Sequence, residues 1–437
     1  MVLSPARRSR LSWFVVVGTA ALVMGLGSFG VAAAAPTLAV GAPAASSLLP
    51  LAQPFLNTVA VGAPLHPSHG GGGGGGSSCT TTLPAPNGVA YTPSELQKAY
   101  SFNTADTGRG ETIAIIDAYG SPSLSSDLAC FDSTFGLSAP TLKIVTPFGS
   151  VHGKNTGWGL ETSLDVEWAH AMAPSATILL IVTPSSSLTY LINDAVPYAV
   201  SHGAKVISMS WGAAESTLGC ATESTESVYF ANAVSAGAIL VGASGDSGAN
   251  DGTSAPTVDY PAADPNVVGA GGTTLTTTPT GTWGGEVVWN DASGATGGGV
   301  SACFGEPGYQ SVHKILVTTA GSVSTTPAGR AVPDVSYDAS PYTGVWVYDT
   351  SGYSGWVQVG GTSAAAPQGS AIFADALSTG VTDLNGGSVH GLLYDLIGSG
   401  NVHDITSGNN GYYYASSGYD ACTGIGSPVE SGVISAL

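Results

Sequence analysis

Beyond about residue 110 the chain alternates short apolar runs with stretches of helical spacing, and no other feature restricts its fold so strongly. The runs 112–116, 176–182, 205–209, 239–243 and 267–270 have the length and apolar content of buried strands. Between them, 160–172, 188–202 and 226–236 carry apolar residues at helical spacing. Strand, helix and strand in series demands crossover connections, so the strands run parallel and helices cover both faces. The expected fold is α/β, a doubly wound and mostly parallel sheet, with ligands gathering beyond the carboxyl ends of its strands. The domain opens near Tyr91, where Thr92 suits a helix N-cap and Pro93 the first helical position.

What precedes it reads differently. Arg7, Arg8 and Arg10 lead into an apolar run from Trp13 to Leu26, and Ala33 to Ala35 are small enough for cleavage. That is the pattern of a secretory signal peptide over residues 1–35, or of an N-terminal anchor if it stays uncleaved. Residues 36–86 are rich in Ala, Pro, Gly and Ser, with unbroken glycine from Gly70 to Gly76. Such a composition cannot bury a core and reads as a linker or short pro-segment, which leaves 87–437 as the domain.

Charge narrows the setting. Acids outnumber bases 29 to 10, and the net charge of −19 excludes nucleic acid and anionic membrane surfaces as partners. With every carboxylate protonated the charge would reach only about +18, from 10 Lys and Arg and 8 His, so self-repulsion in acid stays modest. The chain is suited to an acidic extracellular environment. Its five cysteines, Cys79, Cys130, Cys220, Cys303 and Cys422, fit no zinc motif. An exported protein can oxidise them, with one left over, and the pairing stays open.

Three places carry candidate chemistry. In 360–367, Gly360 and Gly361 permit a sharp turn, and Ser363 then enters a small-residue helix whose free N–H groups favour developing negative charge. In 160–170, Glu161 and Asp165 lie four residues apart on one helix face, a spacing that serves paired carboxyl groups sharing protons. In 242–248, Asp246 follows a strand within glycine-rich backbone, where a protonated carboxyl group can donate a hydrogen bond. Each alone has a plain structural reading: a serine N-cap, a solvated acidic face and an Asx-turn.

Together and in order, the segments resemble the sedolisins, serine-carboxyl peptidases of subtilisin-like fold. The resemblance runs from about Tyr91 to the C-terminus. It rests on Gly361-Thr362-Ser363-Ala364 with Pro367, on Glu161 and Asp165 followed by Ala173-Pro174, on Ser208-Met209-Ser210-Trp211-Gly212, and on Ser244-Gly245-Asp246-Ser247-Gly248. Tyr260-Pro261-Ala262, Gly271-Gly272-Thr273, Gly298-Gly299 with Ser301, and Pro333-Asp334-Val335 recur in the same order. The resemblance implies a single subtilisin-like catalytic domain hydrolysing protein or peptide substrates through an acyl-enzyme. Ser363 is then nucleophile, Glu161 base with Asp165 steadying it, Asp246 oxyanion donor, and Ser210, Trp211 and Gly212 the substrate strand. No His-Gly-x-x-Val-Ala motif supplies a histidine base. Near pH 4 an exposed histidine is protonated, whereas a glutamate can still accept a proton.

The same resemblance implies one calcium ion, held by the carboxylates of Asp404 and Asp420 and the carbonyls of Ile405, Ser416 and Gly418. At Ser416 the family often has glycine. Oxygen ligands of this kind suit a hard cation. It also implies a monomer with no stable membrane partner once the signal is removed. Sedolisins carry a large folded propeptide, and 36–86 does not resemble one. Either the enzyme folds without it, or a short segment blocks the cleft. The competing function is a catalytically inactive, calcium-held binding domain at the cell surface, which has no chemical need for all four of Glu161, Asp165, Asp246 and Ser363.

Overall fold

A computed structural model describes residues 51–61, 79–105, 107–151, 155–320 and 324–437. The signal-peptide reading of 1–35 and the glycine run 70–76 lie outside these residues. All described residues belong to one compact unit, Leu48–Leu437.

In chain order the elements that build the site are as follows. Strands β1 (Gln53–Pro54) and β2 (Asn57–Val59) precede helix α1 (Pro93–Ala99). Then come β3 (Thr112–Ala118), α2 (Leu124–Phe135), β4 (Thr141–Val145), α3 (Thr156–Met172) and β5 (Thr177–Thr183). Helix α4 (Ala195–Ser201), β6 (Val206–Met209), β7 (Trp211–Ala214), α5 (Cys220–Ser235) and β8 (Ile239–Ala243) follow. The last are β9 (Val268–Thr277), β10 (Trp283–Val288), β11 (Val335–Asp338), β12 (Val345–Asp349), β13 (Gly355–Gly360) and α6 (Thr362–Ser378).

The central sheet runs β4-β5-β3-β6-β8-β9, with β11 beside β9; all these neighbours are parallel, and β10 pairs antiparallel with the far half of β9. Its central strand shows why the sequence reads as a continuous apolar run. Ile113 and Ile115 pack on one face with Leu160 and Leu164 of α3. Ala114 and Ile116 pack on the other with Ala195 of α4 and Phe230 of α5. A strand buried on both faces cannot alternate polar with apolar residues. Five expected strands are present. The expected helix 188–202 is instead a π-helical stretch, Thr189–Asp194, followed by α4. Pro197 has no amide for the Asn193 carbonyl, so an unbroken α-helical ladder cannot pass. At α1, the Glu95 carboxylate accepts the Thr92 amide at 2.8 Å.

The linker reading of 36–86 needs correction over its described part. Residues 51–61 are in extended structure: β1 pairs antiparallel with β7, and β2 with β13. Ala52 and Phe55 are buried. Composition missed this because the apolar partners lie elsewhere in the chain, on two sheet edges that a lone segment cannot reveal. Cys79 is bonded to Cys130 and Cys220 to Cys303, while the Cys422 thiol is buried and free.

Candidate active site

Ser363 stands at the second position of α6, where β13 ends against the helix. Gly361, at φ 103°, makes the turn between them. A Cβ there would strike the Phe55 carbonyl oxygen and stand 2.5 Å from Asp246 Oδ2 and 2.8 Å from the Leu56 Cα, so only glycine fits. The Ser363 amide donates to the Phe55 carbonyl at 2.9 Å, and its Oγ donates to the Ser210 carbonyl at 2.9 Å. Pro367 is one turn on and has no amide for the Ser363 carbonyl. Ser210 Oγ approaches that carbonyl at 3.4 Å, and reaches Asp165 Oδ1 more closely, at 2.7 Å.

Helix α3 packs alongside α6 and brings Glu161 and Asp165 to this place, both completely buried. A third carboxyl group joins them: Asp117, at the carboxyl end of β3 and equally buried. Burial pushes all three upward, Asp117 to about 7 and the other two well above the usual carboxylate range. The negative charges of Asp165 and Asp117 raise Glu161 further, and the neighbouring Ser363 hydroxyl opposes that rise. By geometry that hydroxyl is aimed at the Ser210 carbonyl, and neither oxygen of Glu161 or of Asp117 receives a hydrogen bond. Three carboxyl groups so placed cannot all ionise and must hold protons between them. Asp117 escaped the sequence reading. Its only signal is an acid directly after an apolar run, at the strand end where ligands gather.

Asp246 lies across the turn from this cluster. Its Oδ1 accepts the Thr362 amide at 2.7 Å and the Thr362 hydroxyl at 2.9 Å, and its Oδ2 accepts Asn57 Nδ2 at 2.9 Å. Burial raises the group to about 7 in spite of these three donors. It is therefore protonated in acid. The expected substrate strand is an edge: Trp211 and Gly212 pair with Pro54 and Gln53, and the Ser210 carbonyl accepts the Phe55 amide at 3.2 Å. Trp211 anchors that edge by donating Nε1–H to the Ile116 carbonyl at 2.7 Å. An open cleft of about 650 Å³ runs past Gly212, Asp246 and Gly294. His170, on the same helix as Glu161, lies 3.2 Å from Asp132 instead.

The expected calcium ligands come from two loops that meet. Asp404 accepts the Gly418 amide at 3.1 Å and the Ser417 hydroxyl at 2.9 Å. Asp420 accepts the amides of Cys422 and Thr423 at 2.8 and 2.9 Å. Asp404 and Asp420 thus stand on adjoining loops as two carboxyl groups, the donor type a hard cation takes. Glu215, Glu223 and Cys303 also cluster, but Cys303 is spent in a disulfide.

A serine at a helix N-terminus, carboxyl groups in place of histidine and a parallel sheet ending behind them define a subtilisin-type serine-carboxyl site. The Subtilase family matches residues 151–396. Kumamolisin from Bacillus sp. (strain MN-32) is 35% identical over 368 residues, which are 80% of this chain and 64% of the relative. Sedolisin from Pseudomonas sp. (strain 101) is 34% identical over 79% of this chain and 61% of its own. The chain thus spans a little over three fifths of these relatives' length. A solved Pseudomonas sedolisin, complexed with two molecules of pseudo-iodotyrostatin, superposes with a TM-score of 0.70 at 33% identity, covering 80% of this chain and 98% of that one. The chain belongs to the subtilase family, in its sedolisin group. Among the described residues no helix is long and apolar enough to cross a membrane.

Proposed function

We propose that the chain is a secreted endopeptidase working in acid. Ser363 Oγ attacks the carbonyl carbon of a peptide bond lying along Ser210–Gly212, and Glu161 takes its proton. The oxyanion is held by the Ser363 amide and by protonated Asp246. Glu161 then gives the proton to the departing amine, and water cleaves the acyl-enzyme by the same steps in reverse. Asp165 and Asp117 share the remaining protons, so that Glu161 can cycle between forms. The observation that carries this reading is the convergence of three buried carboxyl groups beside Ser363, with no histidine among them.

A calcium ion would be held by Asp404, Asp420 and the carbonyls of Ile405, Ser416 and Gly418, and would supply structural cohesion to the C-terminal loops. The inactive binding-domain alternative has no observation in its favour. The test is kcat/KM on a soluble peptide from pH 2 to 9 with wild type and Ser363→Ala. We expect a bell with its maximum in acid, and loss on the order of a millionfold in the variant, as for removal of a nucleophile from a serine protease. An optimum at neutral or alkaline pH in folded protein, or an active variant, overturns the proposal.

A further inference from the structure

We infer that substrates are also read well past the cut, by a cavity beside β13 that takes apolar side chains on the fourth and sixth residues after the cleaved bond. This rests on the peptidase reading above and deepens it, because it names a second place where the same substrate chain is recognised and the residues that recognise it.

Strand β13 leads from this cavity into Ser363, and its edge sets the direction and register of whatever lies along it. Asn57, Thr58 and Val59 pair antiparallel with Gly360, Val359 and Gln358, so the paired chain runs away from the serine. The Phe55 carbonyl accepts the Ser363 amide at 2.9 Å, which makes Phe55 the place of the residue before the cleaved bond. Two strands cannot share one edge, so a bound substrate takes this one from residues 57–59. Its second, third and fourth residues past the bond then face Gly360, Val359 and Gln358, held by backbone pairing without regard to sequence.

Side chains alternate along such a strand. Asn57, Val59 and Val61 are half-buried while Thr58 and Ala60 are exposed, so the second, fourth and sixth positions turn towards the domain. The second meets the oxyanion acid, as Asn57 Nδ2 does at 2.9 Å from Asp246 Oδ2. The fourth and sixth, at Val59 and Val61, border a cavity of about 490 Å³ that the two valines do not fill. Its other walls include Tyr353, Trp356 and Val357 of the β12–β13 hairpin, with Thr80, Thr82 and Pro84. None of these side chains carries a charge.

The walls are held without help from residues 51–61. Trp356 donates Nε1–H to the Thr80 carbonyl at 2.6 Å and meets the rings of Tyr348 and Phe135 edge-on, with centroids 5.0 and 5.4 Å away. Its polar atom is therefore spent and its ring fixed. Cys79, bonded to Cys130 of α2, anchors the stretch that holds Thr80 and Pro84. Gln358 steadies β13 itself, donating Nε2–H to the carbonyls of Asn87, Val89 and Pro341 at 3.0, 2.9 and 2.7 Å. A preformed apolar site away from the reacting bond binds substrate and transition state alike, so its effect falls on KM and not on kcat.

The experiment measures kcat and KM of the purified full-length chain in acid. The substrates are soluble peptides of one sequence that extend beyond the sixth residue after a single cut, with leucine or serine at the fourth and sixth, and the cut is located by mass. The leucine peptide should be favoured on the order of 100-fold, through KM, since an apolar group in a hydrophobic pocket is worth roughly tenfold. A peptide ending at the third residue should do no better than the serine peptide. Thr82→Trp fills the cavity from an exposed wall and should bring the leucine-to-serine ratio close to one. Trp356→Ala, which strips a wall, should lower that ratio severalfold. A wild-type ratio near one, a preference at other positions counted from the cut, or an undiminished ratio in folded Thr82→Trp overturns this inference while the peptidase stands, because the peptides are still cleaved. If wild type cleaves none of them, the peptidase reading falls first and this inference with it.

Discussion

Replacing Asp246 with asparagine separates its two duties, holding the turn and donating to the oxyanion. Asn Oδ1 still accepts the Thr362 amide and hydroxyl, now at 2.7 and 2.9 Å, so the turn should survive. Asn Nδ2 takes the place of Oδ2 and donates at every pH. In wild type that donor exists only while the carboxyl group is protonated, and burial sets its midpoint at about 7. Above that pH the protonated fraction, and with it kcat/KM, should fall about tenfold per unit. The variant should lose this limb and decline only where another group titrates. In acid it should run below wild type, because an amide is a weaker donor than a carboxylic acid. Asp246→Ala, with no donor, should lose roughly 100- to 1,000-fold. The assay is the pH dependence of kcat/KM on purified enzyme, with folding followed separately by circular dichroism. An Asp246→Asn profile that still falls with a midpoint near 7 would show that some other group governs the limb, and the oxyanion role would have to be abandoned.

Other outcomes follow from the same groups. Asp117 and Asp246 are raised to about 7 in the fold, against about 4 when unfolded. The native state therefore binds more protons between those values, and each group's contribution is complete below about pH 4 and lost as pH rises to 7. Urea midpoints should fall over that window, and Asp117→Asn should flatten the fall; a midpoint that rises instead refutes the buried protonated cluster. Chelation should lower the thermal midpoint, since a ligand bound only by the native state stabilises it, and Asp404→Ala should abolish the response; an unchanged midpoint in both retires the calcium site. Gly212→Ala places a methyl group 2.7 Å from both the Phe55 ring and the Tyr260 carbonyl oxygen, so kcat/KM should drop for every peptide, and more for those with phenylalanine before the cleaved bond than for those with alanine. Equal loss on both would detach Gly212 from that preference.

The sheet was legible because each strand states its own burial. A run such as 239–243 is apolar on both faces wherever it lies in the chain, and β8 spans the same residues. The Thr92 and Pro93 start of α1 is equally local, since a cap depends on neighbours within one turn. Ser363, Glu161, Asp165 and Asp246 stood out because small motifs surround them. Asp117 has no motif, and an acid after a strand is ordinary until α3 lays two more carboxyl groups beside it. The pairing of Cys79 with Cys130 and Cys220 with Cys303 required the folded chain, because many pairings satisfy the spacing alone. The N-terminal segment shows the division most clearly. Residues 51–61 include Leu51, Phe55, Leu56, Val59 and Val61, but a segment this short carries no partner strand of its own. Their partners are edge groups at Ser210–Gly212 and Gln358–Gly360, which lie far along the sequence. A strand's hydrogen bonds are made to whatever edge the fold presents, so local sequence can announce a strand's own burial but not the edge it will complete.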